Sequence, residues 1–148
     1  MPRLHHTGTT VTDLDTAVAF YRRVFGFDLL DEFTVSGEEF ATAVDVPDAT
    51  ARFAHLDGGG GVRVELVEYD PEGEGATADR VNQPGAKHLA VAVDDADAFH
   101  EGLPEDVETV SEARTTESGA TICFLRDPDG NEISFARPIP SRAGAGVE

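Results

Sequence analysis

The chain has 148 residues, a length that suits one domain with a substantial core or two small halves that share one. Its formal net charge of −18, with only 11 Lys and Arg residues, makes binding to nucleic-acid phosphates unfavourable. No apolar run is long enough to span a membrane and the first residues lack a signal-peptide pattern, so the sequence predicts a soluble cytoplasmic protein without nucleic-acid or membrane partners.

The acidic residues are spread through every segment. Many carboxylates with few aromatic residues can indicate disorder, but apolar periodicity continues along the chain and favours a folded protein. A carboxylate-rich surface suits concentrated salt, where counterions screen the self-repulsion. The composition therefore predicts a halophilic protein that is more stable in molar KCl than in dilute buffer. The single cysteine, Cys123, lies in an apolar run and is predicted to be a buried core residue.

The first half is predicted to contain a strand, a helix and three further strands. Residues 3–11 are rich in β-forming residues, and 12–27 change to a helical period that begins at Thr12 or Asp13 and ends at Gly26. A second short helix is expected over 38–44, before Pro47. The alternating apolar pattern predicts the other strands over 27–35, 49–57 and 62–69.

The second half repeats this order after a linker. Residues 70–85 carry Pro, Gly and acidic residues without periodicity, and residues 138–148 are predicted to be a flexible tail. Between them the pattern predicts a helix over 95–103 and a turn at the DPDG sequence of 127–130. The strands are expected over 87–93, 107–113, 120–126 and 131–137.

A repeated spacing indicates that the two halves are copies. His6 and His88, 82 residues apart, each stand five residues before a valine and seven before an aspartate. We therefore predict an α+β fold of two βαβββ modules in one domain, residues 1–137, whose eight strands form a cleft. Module one covers 3–69 and module two covers 86–137.

Three side chains point to metal chemistry. The first strands of the two modules can each send one histidine, His6 and His88, into the cleft. Glu65 places a carboxylate in an otherwise apolar strand, where burial is costly unless the group is paired or binds a metal. Two imidazoles and a carboxylate suit a divalent transition metal such as Zn, Ni, Co, Mn or Fe.

The remaining candidates are interpreted as structural. A lone histidine in a strand is more often hydrogen-bonded within the protein or exposed than a metal ligand. Only the duplicated spacing favours a ligand role for His6 and His88. His5 alternates to the opposite face from His6 and is expected on the outer side, and Glu68 is expected to face water. His55 and His100 are interpreted as surface or packing residues.

Four motifs resemble the vicinal oxygen chelate superfamily, which includes glyoxalase I, methylmalonyl-CoA epimerase, extradiol dioxygenases and the bleomycin and fosfomycin resistance proteins. They are "HHTGTTVTDLDTAVAFYRRVFGF", "VELVEYDPEG", "HLAVAVDDADAF" and "DPDGNEISF", and the resemblance covers residues 3–137. It implies two βαβββ modules around a metal centre, with ligands at His6, Glu65, His88 and a position after DPDG. It also implies a homodimer.

This chain departs from the family at the fourth ligand. Members with a complete metal site usually carry glutamate four residues after the glycine of DPDG, where this chain has Ser134. Glu132 lies on the same strand face, one pleat or ~6.5 Å away along the strand. Two interpretations stay open: a metal held by His6, Glu65 and His88 with Glu132 or water completing the shell, or a site that has lost its metal.

The resemblance implies a metal-dependent lyase or isomerase of glyoxalase or epimerase type, acting on a small substrate chelated through two oxygens. Glu65 or Glu132 would be the catalytic base. The alternatives are an extradiol-type ring-cleaving dioxygenase and a metal-free protein that binds a small molecule, as bleomycin-resistance proteins do. Three arginines on or beside strands are candidates for binding a substrate carboxylate or phosphate: Arg52, Arg63 and Arg126.

Overall fold

The structure, a computed structural model, describes residues 1–75 and 77–137. The chain divides into two compact units, residues 1–76 (unit 1) and 77–148 (unit 2). Each unit contains one four-stranded sheet. Among the described residues, no helix combines the length and apolar character that crossing a membrane requires.

Unit 1 contains two helices and a sheet of order β1-β4-β3-β2. Strand β1 is parallel to β4, and the other neighbours are antiparallel. The elements are β1 (Thr7–Thr10), α1 (Leu14–Phe25), β2 (Asp28–Ser36), α2 (Glu38–Val44), β3 (Thr50–Asp57) and β4 (Arg63–Asp70).

Within its described residues, 77–137, unit 2 repeats this topology with one helix, and its sheet has the order β5-β8-β7-β6. Strand β5 is parallel to β8, as β1 is to β4. The elements are β5 (His88–Ala92), α3 (Ala96–Glu101), β6 (Arg114–Thr115), β7 (Thr121–Arg126) and β8 (Glu132–Arg137). The predicted α+β fold of two βαβββ modules is confirmed.

The duplicated aspartate begins a helix in both units. The Asp13 carboxylate accepts a 3.0 Å hydrogen bond from the amide of Thr16, and the Asp95 carboxylate accepts a 3.0 Å bond from the amide of Ala98. Such N-caps satisfy an amide that has no partner within the helix. At the other end of α1, Gly26 adopts the left-handed conformation, with φ at 71°, that ends the helix.

The duplicated valine makes a backbone hydrogen bond to the fourth strand just before the helix begins. The amide of Val11 donates to the carbonyl of Val67 at 2.8 Å, and the amide of Val93 donates to the carbonyl of Ala136 at 2.8 Å. In both units this bond joins the segment after the first strand to the fourth strand. The spacing that follows each histidine therefore reflects one hydrogen-bonded strand-to-helix connection used twice.

In each unit a core lies between the sheet and a helix, and in unit 1 a second buried cluster of Ala51, Phe53 and Val67 lies on the face opposite α1. In unit 1, α1 contacts β3 and β4, and in unit 2, α3 contacts β7 and β8. The rings of Phe99 and Phe135 pack with centroids 4.8 Å apart in unit 2. Cys123 is buried as predicted, and burial raises the pKa of its thiol. The Cys123 Sγ donates to the carbonyl of Ser111 at 3.1 Å.

Two of the predicted strands differ from the structure: one does not form as a regular strand, and the other begins later. The strand predicted over 107–113 is wrong: this segment makes one isolated bridge, between Thr109 and Leu125, and regular pairing begins only at Arg114. Its apolar residues Val107 and Val110 are three positions apart, which breaks the alternation that a strand needs. The strand predicted over 3–11 begins only at Thr7. The predicted tail, 138–148, lies outside the described residues.

Candidate functional site

Glu65 lies in the middle of β4, next to an in-register residue on each neighbouring strand. These residues are Gly8 on β1 and His55 on β3. Side chains of paired residues project from the same face of a sheet. Glu68 projects from the other face, where its carboxylate accepts a 2.7 Å hydrogen bond from the amide of Leu14 at the start of α1. Glu65 therefore lies on the face opposite α1.

Glu68 has a structural contact that the sequence analysis did not assign to it. Its carboxylate bonds the first amide of α1, where the positive end of the helix dipole favours an anion. Glu68 points away from Glu65 as expected, but it is only partly exposed and bonds α1 as well as facing water. The cause is the approach of α1 to the end of β4, which local periodicity does not contain.

His55 is buried and bonds the carboxylate of Glu65. The distance between His55 Nε2 and Glu65 Oε2 is 2.8 Å, and Arg63 Nη1 lies 3.0 Å from His55 Nδ1. Only 8% of the His55 side chain and 14% of the Glu65 side chain are exposed. Interpreting His55 as a surface or packing residue missed this bond. The glycine-rich turn through Gly58–Gly61 could have predicted it. A hairpin that pairs Asp57 with Arg63 across this turn also places His55 opposite Glu65.

His6 approaches the same carboxylate from the segment before β1. Its Nε2 lies 3.3 Å from Glu65 Oε2, and its ring centroid is 5.5 Å from that of His55. His5 Nδ1 lies 2.9 Å from His6 Nδ1, so His5 contacts His6 instead of turning away from it. The strand alternation that placed His5 on the outer side does not apply, because both residues precede β1.

Gly8 leaves space for the Glu65 carboxylate. A Cβ atom at Gly8 would lie 3.3 Å from Glu65 Oε1, closer than nine in ten Cβ contacts in proteins. The equivalent in-register pair in unit 2 is Ala90 and Ser134. The large Glu65 side chain is thus paired with glycine, and the small Ser134 side chain is paired with alanine.

The substitution Gly8→Ala tests this packing. We expect it to lower the free energy of unfolding by about 1–3 kcal/mol through crowding of Glu65, and to cost much less in a Glu65→Ser background. The double-mutant cycle removes the backbone effect of Gly→Ala, which is common to both backgrounds. Urea unfolding of the four proteins measures the coupling, and equal costs in both backgrounds would contradict the packing argument.

In unit 2, Glu132 is paired with an arginine. Glu132 lies in register with His88 on β5 and Arg126 on β7. Its Oε2 is 3.7 Å from Arg126 Nη2, and Arg126 Nη1 donates to Glu108 Oε2 at 2.7 Å. His88 is exposed, and its ring lies edge-on to Phe124 with centroids 5.2 Å apart. Unit 2 thus places Glu132 beside His88 but also beside a guanidinium.

The three candidate arginines lie in different surroundings. Arg63 bonds His55, and Arg126 bonds Glu108. Arg52 pairs in register with Glu68, on the α1 side of the sheet, so the structure does not bring it to Glu65. Its guanidinium donates to Asp15 at 3.2 Å, and this bond raises the pKa of Arg52.

The donors near Glu65 match the chemistry of a divalent transition metal in part. Within residues 1–75 and 77–137, no group of three His, Cys, Asp or Glu side chains is arranged to hold a metal ion. Unit 1 contains a pair, His6 Nε2 and Glu65 Oε2, 3.3 Å apart. Two ligand atoms of one tetrahedral Zn²⁺ ion, each ~2.1 Å from it, are separated by a similar distance of ~3.4 Å. The spacing of this pair is compatible with two ligands of one metal ion, and no third ligand is grouped with them among the described residues.

The fold and this pair define a two-module α+β protein with a histidine and a glutamate on the sheet face opposite α1. Residues 3–135 match the family model described as Glyoxalase/Bleomycin resistance protein/Dioxygenase superfamily. The chain belongs to this superfamily.

Comparison with individual proteins agrees with this membership. The chain is 31% identical to a lactoylglutathione lyase of Haemophilus influenzae, over 95% of this chain and 96% of that protein. It is 37% identical to a 2-epi-5-epi-valiolone epimerase of an Actinomyces species over 68% of this chain, but it spans only 56% of that epimerase. A glyoxalase family protein from Bacillus cereus has the same fold, with a TM-score of 0.81 and 24% identity over 92% of this chain and 93% of that one.

Proposed function

We propose that the protein is a metal-dependent lyase or isomerase of glyoxalase or epimerase type. Its substrate would be a small molecule that offers two neighbouring oxygens to the metal. The observation that carries the proposal is the largely buried Glu65 carboxylate, with His6 Nε2 3.3 Å away on the sheet face opposite α1. The names of the two relatives, a lyase and an epimerase, support the same reaction types.

His6 and Glu65 are the proposed metal ligands of unit 1, and His88 is the proposed ligand of unit 2. A divalent metal bound there would polarise the substrate oxygens and stabilise the negative charge that develops when a proton leaves the neighbouring carbon. The ion itself, Zn, Ni, Co, Mn or Fe, is left open by the donor types. Glu132 is a weaker candidate, because a nearby guanidinium competes with a metal for its carboxylate.

Glu65 is also the proposed catalytic base. Its carboxylate would accept the proton from the substrate carbon and return it to the product. The hydrogen bond from His55 limits rotation of this carboxylate, and only 14% of the Glu65 side chain is exposed. Arg63 lies next to these groups in unit 1 and is the proposed partner of a substrate carboxylate or phosphate.

Metal analysis of untagged protein purified without chelator tests the proposal. We expect a stoichiometric transition metal that is lost in His6→Ala and in His88→Ala. His100→Ala, which removes a histidine in the last turn of α3, is the matched control and is expected to keep its metal. Metal-free parent protein with an intact fold would contradict the enzyme proposal.

A metal-free small-molecule binding protein is the second candidate. It is favoured by an aromatic cluster on the same sheet face, in which Phe33 and Phe53 stack with centroids 5.1 Å apart and Phe33 is 38% exposed. Phe40 and Tyr69 extend this cluster. Binding of an aromatic ligand that persists in EDTA and is lost in Phe33→Ala would support this candidate.

The ring-cleaving dioxygenase is less well supported. The carboxylate ligand of that family normally lies in the last strand, and the corresponding position here is Ser134. A homodimer, which the superfamily resemblance implies, remains part of the proposal. Light scattering at several protein concentrations measures it.

A further inference from the structure

We propose that His55 is a positioning residue that holds the Glu65 carboxylate in place, and that Arg63 fixes the tautomer in which His55 does so. The inference rests on the proposed role of Glu65 in metal binding and catalysis. It concerns two residues outside the proposed ligand set, and it can be tested in the metal-free protein.

The hydrogen-bond partners determine which nitrogen of His55 carries the proton. A guanidinium has only donors, so Arg63 Nη1, 3.0 Å from His55 Nδ1, must donate to a bare Nδ1. The hydrogen of the imidazole is then on Nε2, which lies 2.8 Å from Glu65 Oε2 and donates to it. His55 thus donates from Nε2 to the carboxylate, and this nitrogen is not available to bind a metal.

Burial makes this bond important for the orientation of the carboxylate. The His55 ring is held by an edge-on contact with Phe33, with centroids 5.3 Å apart, and is almost fully buried. A donor on a rigid, buried ring restricts the rotation of the carboxylate more than a mobile or solvent-exposed donor does. On the other side, Gly8 leaves room for Oε1. Glu65 is therefore held between two neighbouring strands.

The internal repeat gives an independent comparison. The position equivalent to Glu65 is Ser134, and the residue paired with Ser134 on the neighbouring strand is Phe124. His55 occupies the corresponding place beside Glu65. The imidazole is thus present in the unit that has the carboxylate, and a phenyl ring replaces it in the unit that has serine. This is the pattern expected if His55 is present to bond the carboxylate and not because the sheet needs an imidazole at this position.

Two substitutions separate hydrogen bonding from ring packing. His55→Phe keeps an aromatic ring, as in unit 2, but removes the donor. His55→Gln removes the ring but keeps an amide donor at a similar distance from the backbone. We expect His55→Phe to weaken metal binding by on the order of 10- to 100-fold, as loss of a hydrogen bond to a ligand does, and His55→Gln to weaken it much less.

Competition between the protein and a chromophoric chelator for Co²⁺ or Zn²⁺ measures these affinities, with His100→Gln as the matched control. Equal losses in the two His55 variants, or a parental affinity in His55→Phe, would overturn the inference. If the parent protein binds none of the five candidate ions, Zn²⁺, Ni²⁺, Co²⁺, Mn²⁺ and Fe²⁺, the proposed function fails, and the tautomer measurement below tests the assigned His55 hydrogen bonds by itself.

The imidazole nitrogens can be observed directly in the metal-free protein. Long-range ¹H–¹⁵N correlation spectra of ¹⁵N-labelled protein distinguish the two neutral tautomers of His55. We expect a protonated Nε2 and a bare Nδ1 in the parent, and a mixture of tautomers in Arg63→Met. A protonated Nδ1 in the parent, or a spectrum that Arg63→Met does not change, would overturn the assignment.

Discussion

Replacing Glu65 by glutamine is expected to lower kcat/KM by on the order of 10²- to 10⁴-fold, the contribution of a general base. The amide has almost the same size and can still accept the hydrogen bond from His55, so the fold should persist. It cannot take up a proton, and it is a much poorer metal ligand than a carboxylate. Formation of lactoylglutathione and epimerisation of 2-epi-5-epi-valiolone are the reactions to assay, together with the metal content.

Glu68→Gln is the matched control for this prediction. Glu68 is on the same strand as Glu65 but projects from the face that meets α1. Losing its charge should weaken the contact with the helix N-terminus by about 0.3–1 kcal/mol and leave the metal content and activity unchanged. Equal losses of activity in the two variants, or full activity in Glu65→Gln, would refute the assigned role of Glu65.

The substitution Phe135→Ala is expected to have the largest effect on stability, lowering the free energy of unfolding by about 3–5 kcal/mol. Phe135 is 0% exposed and lies in β8, where its ring packs against Phe99 of α3. Its removal leaves a cavity in the core of unit 2, and the neighbouring strands can close it only in part. Urea unfolding followed by circular dichroism measures the loss.

Phe33→Ala is the control that separates burial from aromatic character. Phe33 is a partly exposed member of the aromatic cluster in unit 1, so its removal exposes less new apolar surface. We expect a loss under about 2 kcal/mol, because the cost scales with the apolar area removed from water on folding. If Phe33→Ala lowers the free energy of unfolding as much as Phe135→Ala does, burial of the ring does not determine the cost of removing it.

The helices were predictable because their signals are local. Asp13 and Asp95 bond amides three residues further along the chain, and Gly26 ends α1 through its own backbone conformation. The DPDG turn is equally local: the Asp127 carboxylate accepts bonds from the amides of Asp129 and Asn131. A local hydrogen bond needs only a few residues in the right order, and those residues are visible in the sequence.

The segment 107–113 shows where local reading failed. Its β-branched residues suggest a strand although Val107 and Val110 do not alternate, and its strand pairing in the structure is one isolated bridge, between Thr109 and Leu125 beside β7. Whether a segment pairs regularly depends on the partner strand and on which of its faces is covered, and neither is encoded in the segment itself. The dependence of stability on salt and the flexible tail remain predictions.

The sequence by itself determined the repeat, the order of elements and the candidate groups His6 and Glu65, because periodicity and spacing are properties of a linear chain. Only the tertiary structure decided which polar groups meet. In the structure His55 bonds Glu65, and Arg126 lies beside Glu132. Arg52 and Glu68 both bond residues of α1. These contacts depend on strand register and helix packing, which bring together residues as distant in sequence as Leu14 and Glu68, 54 positions apart.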